Sequence, residues 1–204
     1  MKVLVACEES QVVCKAFRDK GHDAYSCDID PCSGGYPEWH IQKDVLEVIC
    51  DGWDLMIAHP PCTRLTNAGA RWMKVPPKGK TLTQMWKELF DGADFYKALR
   101  DAPIKMKCIE NPIMHCHARE LITPGHRQVV QPWWFGEKTF KATGFELIGL
   151  PDLIASNKLV IPLPGTDEHK KWSWVHRMPP SKDRARLRSK TPTGIAKAMA
   201  HQWG

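Results

Sequence analysis

The chain has no apolar run approaching the ~20 residues that a helix needs to cross a bilayer. It also has no Cys-x-x-C pair among its eight cysteines. The first absence excludes a membrane span, and the second leaves a structural zinc site with little support. No export signal is visible: in MKVLVACEES the apolar run from Val3 to Cys7 is too short for a signal core and ends in acids rather than a cleavage site. A cytoplasmic location is therefore expected, with the cysteines kept as thiols rather than as a disulfide framework. The HCH segment, His115 to His117, sets three metal-ligand types together. Adjacent residues rarely converge on one ion, so no metal is expected. There is no internal repeat and no low-complexity segment.

What is present is ordinary in amount and uneven in placement. At 204 residues, 43% hydrophobic and 25% charged, the chain suits one compact domain over 1–204. The net charge is +6, but the tract His169 to Lys190 alone carries +7, with eight Lys or Arg against Asp183, which leaves the remainder near −1. A basic tract holding Trp172 and Trp174 on a near-neutral body suits a polyanion, because phosphate neutralisation and base stacking drive nucleic-acid binding. A solvated tail is the bland alternative.

Along the chain, KVLVA reads as a strand, after which Ser10 offers an N-cap to a helix burying Val12, Val13, Ala16 and Phe17 before Gly21. DAYSCDID is a second strand, QKDVLEVI leads into a short helical stretch, and WDLMIAH is a third, buried strand. From Pro60 to Gly79 the composition is that of a long loop, and such loops are usually functional or disordered. Leu82, Met85, Trp86, Leu89, Ala93, Tyr96 and Leu99 recur at helical spacing, and IKMKCIENP is a fourth strand stopped by Pro112. Beyond Gln128 come short β-like pieces, QVVQPWWF and TFKATGFELIG, with PWWFG as a packed aromatic turn. At the end Thr191 caps a helix with Pro192 in its first position and Ile195, Ala198, Met199 and Gln202 on one face. Strands alternating with helices predict an α/β sandwich on a mainly parallel sheet, with the ligand site beyond the carboxyl ends of the strands.

Those ends carry ACEESQ at 6–11, CDIDP at 27–31, KD at 43–44, HPPC at 59–62 and IENP at 109–112. Taken singly, each acid is an unremarkable turn residue, and PPC is a turn with a small buried thiol. Taken in order, they resemble the DNA cytosine C5-methyltransferase family over roughly the first 115 residues and the closing TPTGIAKAMAHQWG. With QPWWFG and RSKTPTGIAKAMAHQWG added, the chain looks like the compact phage-encoded members of that family.

The resemblance implies a class I S-adenosylmethionine-dependent, Rossmann-like fold. Residues 1–125 would form the cofactor and catalytic core, 126–190 a basic part contacting DNA, and 191–204 a helix returning to the core. It implies that Cys62 is the nucleophile, that Glu110 grips the cytosine ring, and that Asn111 and Pro112 fix the strand end. It also implies that Asp28 and Asp44 hold the ribose and adenine of the cofactor, with Cys7, Ile29, Pro60 and Thr193 around it. An assisting arginine is expected among Arg184, Arg186 and Arg188, with Arg186 foremost, although phosphate contacts are an equal reading for all three. Carbon 5 of cytosine is a poor nucleophile until a thiolate adds to carbon 6, hence the cysteine on a rigid turn. A duplex base must be flipped to reach it, and the loop after Cys62 is expected to close over that base.

Two departures matter. The family's glycine-rich first loop is replaced by CEESQ, where Glu8 and Ser10 are expected to face the methionine part of the cofactor. Fewer than a hundred residues follow Glu110, too few for a separate target-recognition domain, so selectivity should be short or weak. Three alternatives stay open: methylation of an exocyclic amino group, methylation of a free cytidine nucleotide, and a non-catalytic nucleic-acid-binding protein on the same fold. Protection of phage DNA from host nucleases is the role the resemblance suggests.

Overall fold

The apolar runs assemble into one seven-stranded sheet in a computed structural model that describes residues 1–111, 113–123 and 125–204. Its strands are β1 (Lys2–Ala6), β2 (Asp23–Asp28), β3 (His40–Gln42), β4 (Leu55–Ala58), β5 (Met106–Glu110), β6 (Arg127–Val130) and β7 (Thr143–Ile148). The helices are α1 (Val12–Arg18), α2 (Leu82–Asp101), α3 (Cys116–Leu121), α4 (Asp167–Trp172), α5 (Trp174–Arg177), α6 (Arg184–Ser189) and α7 (Thr193–Gln202). The strand order is β3-β2-β1-β4-β5-β7-β6. Pairing is parallel from β3 through β5, whereas β7 runs antiparallel to both its neighbours. The expected α/β architecture on a mainly parallel sheet is therefore present. Its order is that of a doubly wound, Rossmann-like sheet with one antiparallel strand inserted, and the chain changes direction between β1 and β4, where such sheets form their crevice.

Burial follows the pleat. Val3, Val5, Leu55, Ile57 and Cys108 join a core under α1 and α7, while Leu4, Ala6, Met56, Ala58 and Ile109 join another under α2 and α3. Strands buried on both faces read as unbroken apolar runs, which made β1 and β4 visible in the sequence, whereas β2 and β5 are mixed stretches with polar residues among the apolar ones. β3 escapes that test because three partly exposed residues carry no periodic signal. The stretch expected to be helical after it is only a 3₁₀ turn, Val45–Glu47, capped by Asp44.

Helix α2 buries Met85, Leu89, Ala93, Tyr96 and Leu99 and begins with a capping box between Thr81 and Gln84. Two other helix starts differ from expectation. Ser10 does not cap α1: Gln11 holds the cap position in a left-handed conformation with no side-chain bond, and the capping carboxylate comes from Glu8. Helix α7 begins at Thr193 with Pro192 in the cap position, one residue later than the Thr191 cap predicts. The stop assigned to Pro112 lies outside the described residues. Among the described residues no helix is long and apolar enough to cross a membrane.

Candidate active site

The turn after β1 has the shape of a glycine-rich loop without the glycines. Cys7 (φ 59°) and Gln11 (φ 57°) both take the left-handed conformation that glycine usually fills. Glu8 is 5% exposed, and its carboxylate accepts from the N–H groups of Val13 at 2.7 Å and Cys14 at 3.1 Å. Ser10 Oγ donates to the same carboxylate at 3.4 Å. Burial pushes the Glu8 carboxyl up, opposed by the charge of His59 and by these three donors. Glu8 and Ser10 thus serve the start of α1 first, where free N–H groups attract an anion.

The next two strand ends converge on the same place. Burial raises the Cys7 thiol to about 12, with further contributions from Asp28, Cys27 and Asp44. Cys7 is therefore a thiol that stays protonated, under the influence of both acids. Asp28 accepts from the Asp30 N–H at 3.0 Å, and its carboxyl is raised by burial. Asp44 accepts from the Leu46 N–H at 3.0 Å. Ile29, beside Asp28, is 72% exposed, an unusual position for a large apolar side chain that nothing covers among the described residues.

The ends of β4 and β5 bring the second group together. The parallel register pairs Ala58 with Ile109, so the turn holding His59 to Cys62 lies beside Glu110. His59 Nδ1 donates to Glu110 Oε2 at 3.0 Å, while its Nε2 is buried without a partner among the described residues. Burial works against the charge on Glu110, but the His59 bond and the charges of His59 and Lys141 outweigh it and hold the carboxyl below its ordinary range. Pro60 is buried and Cys62 partly so. Burial raises the Cys62 thiol, Glu110 raises it further, and Lys141 opposes both. Asn111 is fully buried, and neither polar atom of its amide has a partner among the described residues. Its backbone is fixed instead: the N–H donates to Gly144 at 2.7 Å, and the carbonyl accepts from Arg127 at 2.8 Å.

The segment after Cys62 is folded rather than an open loop. Leu65 and Met73 are buried, Asn67–Met73 forms 3₁₀ turns, and Thr66 bridges to Met114. Arg64 is tied to Glu88 of α2 at 2.6 Å, and His115 Nε2 bonds the Arg64 carbonyl at 2.7 Å. The expected open loop is therefore packed against α2 and the 113–115 segment. His115 also caps α3, whereas His117 packs against Trp86 and Cys116 is exposed, so the three do separate work.

In the basic tract, Trp172 is 3% exposed and packs on Phe140, which removes it as a stacking platform. Trp174 remains 46% exposed, beside a hollow of ≈ 400 Å³ lined by Lys170, Trp174, Arg177, Met178 and Pro179. Arg186 is exposed and paired with Asp183 at 3.2 Å. It is not among the charges acting on Cys62 or Glu110. The cation that does act there is Lys141, which sequence reasoning missed because a lone Lys before a short strand carries no motif. Thr193 stands exposed at the start of α7, which packs along α1. Two clusters result: Cys7, Asp28 and Asp44 on one side of the crevice, and Cys62, Glu110, His59 and Lys141 on the other. No protein-family model matches the chain, and no curated protein matches it.

Proposed function

We propose that the chain transfers a methyl group from S-adenosylmethionine to carbon 5 of cytosine in DNA, as its resemblance to the cytosine C5-methyltransferases implies. The observation that carries the reading is the juxtaposition of Cys62 and Glu110 at neighbouring strand ends, close enough for the carboxylate to perturb the thiol. The sheet order is compatible with the class I methyltransferase fold.

The donor set around Cys7 fits the cofactor. Helix α1 would ordinarily offer its N-terminus to a phosphate, but the Glu8 carboxylate already occupies it. A dinucleotide's pyrophosphate would compete with that carboxylate for the helix start, whereas S-adenosylmethionine has no phosphate and brings a sulfonium and an α-ammonium cation. Asp28 suits the ribose hydroxyls, Asp44 the adenine amino group, and exposed Ile29 a ring face. When bound, S-adenosylmethionine supplies the electrophilic methyl group.

The chain's own residues then account for the rest. Cys62 adds as thiolate to carbon 6, the carbon 5=carbon 6 π pair shifts to the carbon 4–carbon 5 bond, and the carbon 4=nitrogen 3 π pair goes to nitrogen 3, leaving carbon 5 as the nucleophilic carbon of an enamine. Glu110, steadied by His59, receives the exocyclic amino group and orients the ring. Once carbon 5 carries its methyl group, loss of the carbon 5 proton to solvent and breakage of the carbon 6–sulfur bond restore the ring and free Cys62. Exposed cations of the tract, with Trp174, meet the phosphates and bases.

The test is incubation with labelled S-adenosylmethionine and either DNA or dCMP, followed by mass spectrometry of the nucleosides. Label in 5-methylcytosine from DNA, lost in Cys62→Ala, is the expected result. Label on the amino group, or activity surviving in Cys62→Ala, refutes the carbon 5 mechanism. No calorimetric binding of S-adenosylmethionine beside salt-dependent DNA binding points to a binding protein instead.

A further inference from the structure

Because β7 runs antiparallel to β5, the residues leading into it arrive where β4 and β5 end. Glu110 lies opposite Phe145, and the Asn111 N–H meets the Gly144 carbonyl, so the chain before Gly144 runs at the level of the turn after β5. Lys141 is thereby delivered across β5 from Cys62, although 79 residues separate the two in sequence. Its Nζ donates to the carbonyls of Lys190 at 2.6 Å and Ser189 at 3.3 Å, at the end of α6. Those bonds anchor the ammonium and leave its third proton without a partner among the described residues. Burial pushes the Lys141 ammonium down, and the charges that bear on it come from Glu110 of β5, Arg188 of α6, Cys62 of the turn after β4 and Glu137 of the segment before β7.

We propose that Lys141 is the positioning residue that stabilises the thiolate of Cys62 as an anchored neighbouring charge. The inference rests on reading Cys62 as the nucleophile. As the S–H bond breaks, the proton passes to solvent and the electron pair stays on sulfur, where the ammonium offsets it. Burial and Glu110 both oppose that ionisation, and Lys141 is the one charged group found to favour it among the described residues. The same lysine bonds the carbonyls at the end of the basic tract, so the tract fixes where its charge lies.

The test is the pH dependence of iodoacetamide labelling, read at Cys62 by peptide mass spectrometry. Lys141→Met should raise the labelling midpoint and slow labelling near neutrality, while Lys141→Arg stays near the wild type. Glu110→Gln should lower the midpoint. Unfolding does not imitate the first result, because a thiol released from burial falls toward its ordinary value. An unchanged or lowered midpoint in Lys141→Met overturns the proposal. The measurement needs neither S-adenosylmethionine nor DNA. A raised midpoint in a protein that transfers no methyl group would leave Lys141 in this role and remove the methyltransferase reading, whereas an unmoved midpoint in an active enzyme removes only Lys141.

Discussion

Tyr96→Phe isolates the bond that holds α2 against the strand next to β5. The Tyr96 hydroxyl donates to Glu146 Oε2 at 2.5 Å, and the Gly125 N–H donates to Glu146 Oε1 at 2.8 Å. Tyr96 is fully buried and Glu146 is 1% exposed, so a lost donor is not replaced by bulk water. Phenylalanine keeps the ring and its packing and removes only the hydroxyl. A hydrogen bond to a charged group is worth about 1.5–3 kcal/mol, and that range is the expected loss, out of a total of roughly 5–15 kcal/mol. For a chain of this size it corresponds to a fall in Tm of about 3–12 °C. Urea unfolding should show a lower midpoint with an unchanged slope. In a double-mutant cycle with Glu146→Gln, the two changes should couple by ~1 kcal/mol or more. A loss below ~0.5 kcal/mol, or strict additivity, would refute the claim that this bond matters.

Two further outcomes follow from the charges. Glu110 has a carboxyl held below the ordinary 4.5, so the stability it contributes is complete above that value and is lost as the pH falls through its lower folded value. Glu110→Gln should therefore flatten the acid limb of urea stability between wild type and variant, and identical limbs would show that the His59 bond holds no charge. Replacing Arg186 and Arg188 with Ala should weaken DNA binding across all sequences and reduce the slope of log K against log salt by about 0.9 for each phosphate no longer neutralised. An unchanged slope in fluorescence titrations would remove α6 from the interface.

Much of the frame was legible because it is local. β1 and β4 are apolar runs of the right length, and α2 repeats its apolar residues at helical spacing with a capping box at its start. The candidate site was legible in part for the same reason, since HPPC and IENP stand at the ends of β4 and β5 and parallel strands send successive ends to one edge. The cap of α1 falls to Glu8 and not to Ser10 because capping by a residue three positions before the cap depends on the left-handed backbone at Cys7 and Gln11, which no glycine announces. The packing of the segment after Cys62 was not legible because its prolines and glycines look like a free loop, yet Arg64 is tied to α2 and Leu65 to the 113–115 segment. Trp172 looked free because a tryptophan among lysines suggests solvent, but its partner, Phe140, lies 32 residues earlier.

The sequence by itself determined the alternation of buried strands and amphipathic helices, the two candidate groups at their turns, and the concentration of positive charge near the end. Periodicity, caps and charge counts are properties of neighbouring residues, so a linear reading captures them. Tertiary structure decided the strand order, the antiparallel placement of β7 between β5 and β6, the burial of Trp172, and the meeting of Lys141 with Cys62 and Glu110. Those depend on backbone pairing between segments far apart in the chain, such as Asn111 with Gly144. The hydrogen bonds that fix such a register involve main-chain groups common to every residue, so they leave no mark on the side-chain pattern.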